Sequence, residues 1–208
     1  YVIDLRNKHI LQRLPLSAEA YTCLLSPDKK ELYISLWGGD KVMVYNTARK
    51  TLTDSIAVGD NPNDLCISRN GSYLYVANAN DNTVSMIDLK ERKVMETLNA
   101  ALYPTRLSGS TSNALALSDD DRTLYIANAD NNCLAVFDVS KPGSSLCKGF
   151  IPTGWYTTAV RMLGQKLYVA NGKGFSSFPN PLGPNPTAKK EHVGIHTGDD
   201  NQPERVQY

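Results

Sequence analysis

One short pattern recurs along this chain at a nearly constant interval, and it constrains the fold more than any other feature. The triplet Leu-Tyr-Ile or Leu-Tyr-Val occurs at residues 32–34, 74–76, 124–126 and 167–169, with spacings of 42, 50 and 43 residues. A second marker, an apolar or aromatic residue followed by Asp or Asn, occurs at residues 3–4, 45–46, 87–88 and 137–138. Both series lengthen in the same unit, so that unit carries insertions on an unchanged scaffold.

Each repeat contains four short segments with strand character, separated by turn signals. In the second full unit these segments are DLCIS (64–68), YLYVAN (73–78), TVSMIDL (83–89) and KVMETL (93–98). The intervening RNGS, ANDN and KER are typical of tight turns, and helical periodicity is absent. Four antiparallel strands in about 42 residues, repeated, are the signature of a β-propeller blade. A β-sandwich offers no reason for such a period.

The repeats predict an all-β fold, a β-propeller that is seven-bladed when complete, with this chain as an arc of it. Residues 1–14 supply the last two strands of a blade, three complete blades follow at about 20–58, 63–99 and 112–152, and 157–171 supply two strands of a fifth. Seven blades need about 300 residues, so we expect the chain to be part of a larger polypeptide. We predict propeller blades over 1–171 and a Pro/Gly-rich loop over 172–208, inserted in the last partial blade and extended where prolines concentrate at 176–190.

The phrase "LYVAN…NTVSMID" resembles the YVTN-type β-propeller repeat. Residues 74–78 and 124–128 match its namesake strand, and Asn78, Asn128 and Asn171 follow the pattern, whereas Leu36 departs from it. The stretches 110–118, 125–132, 149–160 and 167–186 are similar to a bacterial subgroup of that family. In this subgroup Pro usually stands at the position of Thr157, so we expect a looser loop there.

The subgroup resemblance implies a partner and a location. In that subgroup a phosphoesterase domain of the alkaline-phosphatase superfamily commonly follows the propeller, so the resemblance implies such a downstream domain, or the remaining blades, as partners in the same polypeptide. It also implies a periplasmic or secreted protein. None of the metal-binding constellations of that superfamily occurs in these 208 residues, so no catalytic residue is carried over.

Charge and composition exclude several classes of partner and leave the cysteines unassigned. The formal net charge is +1 and the basic residues are scattered, which argues against nucleic acid. No apolar run is long enough to span a membrane. Cys23 and Cys66 lie in apolar strands and are expected to be buried thiols. Cys133 and Cys147 lie on strands expected to pair, but a few residues out of register, so a disulfide between them stays open.

The loops that depart from the repeat are predicted to share one face of the propeller. Turns between the second and third strands of a blade emerge on the same side as the linkers between blades, and single-use loops on one face of a repeat array mark its working surface. Aromatic and cationic side chains of the kind that interfaces use are expected there. The candidate ligand or partner residues are Trp37, Tyr103, Arg106, Trp155, Tyr156 and Lys173.

The Asp/Asn clusters and three short motifs allow both functional and structural interpretations. Convergent carboxylates and amides could hold Ca²⁺, but Asn78 and Asn128 recur in successive blades, which favours turn chemistry. "HVGIH" (192–196) could ligate zinc on a helix, yet its Gly- and Pro-rich surroundings favour a solvated loop. "NGKG" (171–174) resembles a phosphate-cradling turn without the context of a P-loop. No cofactor, metal ligand or catalytic residue is therefore assigned.

Three functions remain open at the level of the sequence. The first is a non-catalytic propeller that binds or positions a partner, as part of a larger exported phosphoesterase-type protein. The second is a metal-dependent hydrolase, lactonase- or phytase-like, with its site in the propeller channel; it requires carboxylates that do not follow the repeat, whereas Thr22, Leu65, Leu115 and Val160 on the blade-entry strands are mostly apolar. The third is an adhesive or surface-layer repeat, for which single-use loops are poor evidence.

Overall fold

Sixteen β-strands and no helix occur among residues 1–103 and 109–174, the part of the chain that the computed structural model describes. They form three four-stranded antiparallel sheets and two two-stranded hairpins. The predicted all-β propeller arc of three full blades and two partial ones is confirmed. The proposed division between 171 and 172 stays a prediction, because the segment after 174 lies outside the described residues.

Consecutive strands pair within each sheet, and we call the three full sheets blades I, II and III. Blade I consists of β3 (Glu19–Leu25), β4 (Glu31–Trp37), β5 (Lys41–Asn46) and β6 (Thr51–Ala57). Blade II consists of β7 (Pro62–Ile67), β8 (Tyr73–Asn78), β9 (Thr83–Asp88) and β10 (Lys93–Asn99). Blade III consists of β11 (Ser112–Leu117), β12 (Thr123–Asn128), β13 (Cys133–Asp138) and β14 (Leu146–Pro152). The first hairpin is β1 (Val2–Asp4) with β2 (His9–Gln12), and the last hairpin is β15 (Thr157–Leu163) with β16 (Lys166–Asn171).

The turns between the second and third strands of each blade end on a residue with left-handed backbone geometry. Asp40, Asn82 and Asn132 have φ values of 51°, 55° and 52°. Asn and Asp tolerate this region better than other non-glycine residues. The Asn-rich segments between the second and third strands therefore form turns, as their recurrence predicts.

The hydrophobic core lies between the sheets and not within any one of them. Between blades I and II, Tyr33 and Val44 pack in one cluster with Leu74 and Ile87. Between blades II and III, a second cluster includes Met86, Leu115 and Phe137 among its members. Burial of one such aliphatic or aromatic side chain contributes about 1.5–3 kcal/mol. The stability of each blade therefore depends on its neighbours.

The cysteines differ in part from expectation. No disulfide forms among the four, and Cys133 pairs with Pro152 while Cys147 pairs with Phe137, which is out of register as predicted. Cys66 is half-buried, but Cys23 is exposed. The expectation of a buried thiol at Cys23 was wrong, because its side of β3, like that of Leu25, is not covered by the described residues.

A recurring Asn near the end of the second strand of blades II and III and of the last hairpin lies opposite the first strand of its own sheet, and it is buried in the two blades. Asn128 Oδ1 accepts a hydrogen bond from Ser112 Oγ at 3.5 Å, and Asn171 Oδ1 accepts one from Thr157 Oγ1 at 3.3 Å. Thr157 is fully buried and its hydroxyl also contacts Thr153 Oγ1 at 2.5 Å. The hydroxyl thus ties the linker down, contrary to the looser loop expected there.

Blade II lacks this bond because its entry residue is a proline. Pro62 pairs with Asn78 in the sheet, as Ser112 pairs with Asn128 and Thr157 with Asn171. Asn78 is fully buried and donates to Thr83 and Ser85, both at 2.9 Å, but its Oδ1 has no hydrogen-bond partner among the described residues. A buried acceptor left in this way costs about 1–3 kcal/mol.

Substitution of Pro62 by serine should therefore supply the missing donor. We expect Pro62→Ser to be more stable than Pro62→Ala by about 1 kcal/mol, measured as the free energy of unfolding in urea. The two variants lose the rigidity of proline equally, so their difference isolates the hydroxyl. Equal stabilities would contradict this account of Asn78.

Candidate functional site

The antiparallel connections give the blades two distinct faces. We call the face that carries the turns between second and third strands and the linkers between blades the loop face, and the opposite face the turn face. Of the six residues predicted to form a ligand or partner site, Arg106 lies outside the described residues. The other five, Trp37, Tyr103, Trp155, Tyr156 and Lys173, belong to loop-face segments.

Three of the predicted residues form one cluster, which we call the aromatic cluster. Lys173 Nζ lies 5.2 Å from the ring centre of Trp155 and 4.8 Å from that of Tyr156, within cation–π range. The backbone builds this arrangement, since Trp155 N donates to Gly174 O at 2.8 Å and Gly172 N donates to Tyr156 O at 2.8 Å. The structure brings these three predicted residues together, and their role as a ligand or partner site stays a prediction.

The other two described residues do not join that cluster through ring contacts. Trp37 stacks on Tyr21, with ring centroids 5.3 Å apart and an interplanar angle of 25°. Tyr103 is 65% exposed. Tyr21 was not singled out by sequence reasoning, although a tyrosine stands there where the entry strands of blades II and III have Asn63 and Asn113.

The positions equivalent to the aromatic cluster in blades II and III join the turn after the second strand to the linker that precedes the blade. In blade II, Asn80 Nδ2 donates to Asp60 Oδ2 at 3.2 Å, joining the turn after β8 to the linker before β7. In blade III, the Thr111 hydroxyl bonds the Asp130 carboxylate in the same way. Asn61, Thr111 and Tyr156 share a left-handed backbone, with φ values of 50°, 50° and 59°. The cluster is thus the last hairpin's version of a repeated structural contact.

The "NGKG" motif does not form a phosphate cradle. The backbone N–H groups of Gly172 and Lys173 donate to the carbonyl oxygens of Tyr156 and Trp155, at 2.8 and 3.1 Å. These donors are therefore already used in pairing. The "HVGIH" segment at 192–196 lies outside the described residues. Within 1–103 and 109–174, no group of three or more His, Cys, Asp or Glu side chains is arranged to hold a metal ion.

The entry strands of neighbouring blades lie beside one another and form the inner wall of the arc. Strand β3 contacts β7, β7 contacts β11, and β11 contacts β15. Each is the edge strand of its sheet, so one row of its backbone N–H and C=O groups faces away from the blade. Leu65, Leu115 and Val160 are 6%, 2% and 0% exposed. The side chains at these positions therefore belong mainly to the hydrophobic core.

A charged pair on the inner strands was missed by sequence reasoning. Asp64 of β7 accepts a hydrogen bond from Leu115 N at 2.9 Å. Arg161 Nη1 of β15 donates to the carbonyl oxygen of Val160 at 2.8 Å and to that of Leu115 at 3.4 Å, and lies 3.7 Å from Asp64 Oδ2. Asp64 of blade II and Arg161 of the last hairpin thus bond the backbone N–H and C=O groups of Leu115 on the free edge of β11.

The repeat itself carries the signal that could have identified this pair. Strand register places Cys23, Leu65, Leu115 and Val160 at equivalent positions. One residue earlier, Asp64 stands where the other inner strands have Thr22, Ala114 and Ala159, and one residue later, Arg161 stands where they have Leu24, Cys66 and Ala116. The charges that break the repeat thus lie one position before Leu65 and one position after Val160, the apolar positions named from the sequence.

A cavity of about 350 Å³ lies against the ends of the inner strands that lead to the turn face. Arg161, Cys66, Leu115 and Met162 line it together with Arg69. Burial raises the pKa of the Cys66 thiol to about 11, so this thiol is neutral at pH 7. The volume falls within the range of small-molecule sites, which combine apolar walls with a few polar groups.

Comparison with known families identifies the fold at the level of a family. The profile of "Lactonase, 7-bladed beta-propeller" matches residues 17–171, which is most of the chain. The chain belongs to this lactonase family. The match covers blades I to III and the last hairpin, and so includes Asp64 and Arg161.

Solved structures agree with the fold of the lactonase family. A putative 6-phosphogluconolactonase from Bacteroides uniformis is 20% identical with a TM-score of 0.65, covering 73% of this chain and 47% of that one. Kuenenia stuttgartiensis hydrazine synthase is 21% identical (TM-score 0.59; 76% and 42% covered), and U3-55K is 12% identical (TM-score 0.63; 76% and 47% covered). The chain thus spans less than half the length of these structures, and at such identities the likeness shows the fold alone. A search of curated proteins gave no match.

Among the residues described, none belongs to a helix that is long and apolar enough to cross a membrane.

The turn face also carries a groove of about 650 Å³ between blades I and II, with a partly buried ion pair beside it. Glu31 of β4, which lines the groove, pairs with Arg92 of the turn after β9 and accepts a hydrogen bond from Tyr33 Oη at 2.8 Å. The side chains of Glu31 and Arg92 are 22% and 31% exposed. Burial on its own raises the pKa of Glu31, but the hydrogen bonds from Arg92 and Tyr33 outweigh it and hold that pKa below its usual value.

The ion pair should make blade packing sensitive to acid. A carboxyl whose pKa is lower in the folded than in the unfolded state stabilises the fold above its unfolded pKa, about 4.3 for Glu, and that stabilisation is lost as pH falls through the folded pKa. We expect Glu31→Gln to lower the free energy of unfolding by about 1–2 kcal/mol at pH 7, with the difference from wild type shrinking below about pH 4.

The exposed Glu91 provides the matched control for this measurement. Glu91→Gln should change the free energy of unfolding by less than about 0.5 kcal/mol at either pH. A Glu31→Gln difference that is the same at pH 7 and pH 3.5 would contradict the assigned role of the ion pair.

Proposed function

We propose that this chain is part of a propeller that hydrolyses a cyclic ester, with its site on the inner strands of the arc. The observation that carries the proposal is the Asp64–Arg161 pair, which breaks the repeat on the strands that line the channel side. Membership of the lactonase family over 17–171 and the family's name support the choice of reaction. The proposal keeps the reaction class and channel location of the second function left open by the sequence, a metal-dependent hydrolase, and assigns no metal ligand among the described residues.

The inner strands offer the kinds of group that this reaction needs. Hydrolysis of a lactone requires polarisation of the carbonyl group, stabilisation of the negative charge that develops on its oxygen, and an oriented water. A guanidinium and a carboxylate lie within 3.7 Å of each other there. The aromatic cluster on the loop face offers a cation that is already covered by two rings.

The test is hydrolysis by the full-length protein that contains this chain. We expect release of one proton per ester opened from glucono-δ-lactone or γ-butyrolactone, followed in a pH-stat at pH 7 and corrected for spontaneous opening. The double variant Asp64→Ala/Arg161→Ala should lower kcat/KM by at least about 100-fold, because removal of one hydrogen-bond donor to the developing oxyanion costs about 2.7–4 kcal/mol.

The matched control and a chelator complete this assay. Arg122→Gln removes an exposed arginine of blade III and should leave the rate unchanged. Loss of activity in EDTA would show a metal requirement and favour the metal-dependent version of this hydrolase. A wild-type rate equal to the spontaneous rate for both lactones would contradict the proposal.

A second candidate is a non-catalytic binding platform on the loop face. It is favoured by the aromatic cluster and by the exposed Tyr103, since aromatic and cationic side chains dominate interface energetics. In this version the protein is exported and the propeller positions a downstream phosphoesterase domain, as the YVTN resemblance implies. A reading frame that completes the propeller after Tyr208 and then stops would contradict that linkage.

A further inference from the structure

Arg161 combines an exposed guanidinium with a fixed anchor, and this combination has a specific use in ester hydrolysis. We propose that Arg161 binds the acyl oxygen of the substrate and the carboxylate of its hydroxy acid product, and that Asp64 positions it. The proposal rests on the proposed function, and it adds the contact residue, the chemical group it recognises and the end of the channel at which binding occurs.

The contacts of Arg161 leave most of its donors available. All three contacts are made by Nη1, with Val160 O, Leu115 O and Asp64 Oδ2. Among the described residues no partner bonds Nη2 or Nε, and the side chain is 67% exposed. A guanidinium presents its donors as a planar fork that matches a carboxylate. The protein thus holds the guanidinium through Nη1, and Nη2 and Nε can donate to a ligand.

Asp64 acts differently, because its side chain is only 16% exposed. Its Oδ2 accepts from Leu115 N at 2.9 Å, so the carboxylate is fixed to the backbone of β11. Asp64 Oδ2 lies 3.7 Å from Arg161 Nη1 and restricts the orientation of the guanidinium. The two groups do not form a bidentate pair, so the donors of Nη2 and Nε are not used by Asp64. Asp64 is therefore a positioning residue in this proposal.

The cavity beside Arg161 has a composition that suits a small ester. Leu24, Leu65 and Met162 give it apolar walls, and Cys66 adds a neutral thiol. Asp119 and Asp121 also line the cavity, and Asp121 accepts a hydrogen bond from Arg69 N at 2.7 Å. The second arginine on its lining, Arg69, is already paired with Asp119 at 2.9 Å. Of the two guanidinium groups on this cavity, Arg161 is the one with unoccupied donors.

The reaction balances without any further reagent. The oxygen of water bonds to the acyl carbon, and the bond from that carbon to the ring oxygen breaks. One proton of the water passes to the ring oxygen, which becomes the hydroxyl group, and the new carboxylic acid ionises and releases the other proton. Negative charge appears on the acyl oxygen during attack and resides on the carboxylate of the product. A single guanidinium therefore serves both states.

The experiment compares Arg161→Gln and Arg161→Lys in the full-length protein, with glucono-δ-lactone and γ-butyrolactone as substrates and with gluconate and 4-hydroxybutyrate as product probes. We expect Arg161→Gln to weaken binding of the hydroxy acid, measured by calorimetry, by about 10- to 100-fold, and to lower kcat/KM by at least as much. Arg161→Lys keeps the charge and should recover part of both. Asp64→Glu keeps the charge but displaces the carboxylate, so it should weaken binding by about 3- to 10-fold through the orientation of the fork.

The controls separate this inference from the proposed function. Arg122→Gln should bind and react as wild type does, and the melting temperature of each variant verifies that it is folded. Hydrolysis with an unchanged KM and unchanged product binding in Arg161→Gln would overturn the role of Arg161 and leave the proposed function standing. Binding of hydroxy acid that depends on Arg161, without hydrolysis of either lactone, would overturn the proposed function and uphold the site. Absence of hydroxy acid binding to the wild-type protein would overturn the site.

Discussion

The rest of the structure depends on the burial of apolar sheet faces between neighbouring blades. The largest clusters of buried side chains each draw on two adjacent sheets, as with Tyr33 and Leu74, or Met86 and Phe137. A single four-stranded sheet with two apolar faces has nowhere else to bury them, so the unit must repeat. Repetition then fixes the inner strands side by side, with their free backbone edges exposed on the channel side. The polar contacts of the arc bond the backbone groups of those edges and stabilise the turns that connect the strands.

Polar side chains in this protein divide into those that recur at equivalent positions in several blades and those that occur in one blade only. The first group includes the left-handed turn residues Asn82 and Asn132, the buried Asn78 and Asn128, and the partly exposed Asn171. The second includes Asp64 and Arg161, which close the edge of β11 from two sides. Only departures from the repeat can carry chemistry that is needed once. For this reason the charged pair, and not the Asn-rich turns, is the candidate for function.

The period of the sequence predicted the blades, their number in this chain and the structural use of the Asn clusters, because backbone geometry repeats with the sequence. The burial of Cys23 was predicted wrongly, since burial depends on what covers a strand and not on its own pattern. Of the candidate site, loop placement predicted Trp155, Tyr156 and Lys173 on one face, but not that these three contact each other while Trp37 stacks on Tyr21. The contact of Asp64 with Arg161 was not predicted, because the two residues are far apart in sequence and meet only when three blades stack. An alignment of the repeats by strand register would have marked both positions as exceptions, but not their proximity.

The central claim is that the chemistry of this propeller resides on the inner strands and not on the loop face. A crystal structure of the full-length protein with 4-hydroxybutyrate or gluconate tests it most directly. The account predicts the ligand carboxylate within hydrogen-bond distance, about 2.7–2.9 Å, of Arg161 Nη2 or Nε. A ligand that lies instead against Trp155, Tyr156 and Lys173, with the Arg161 cavity empty, would contradict it.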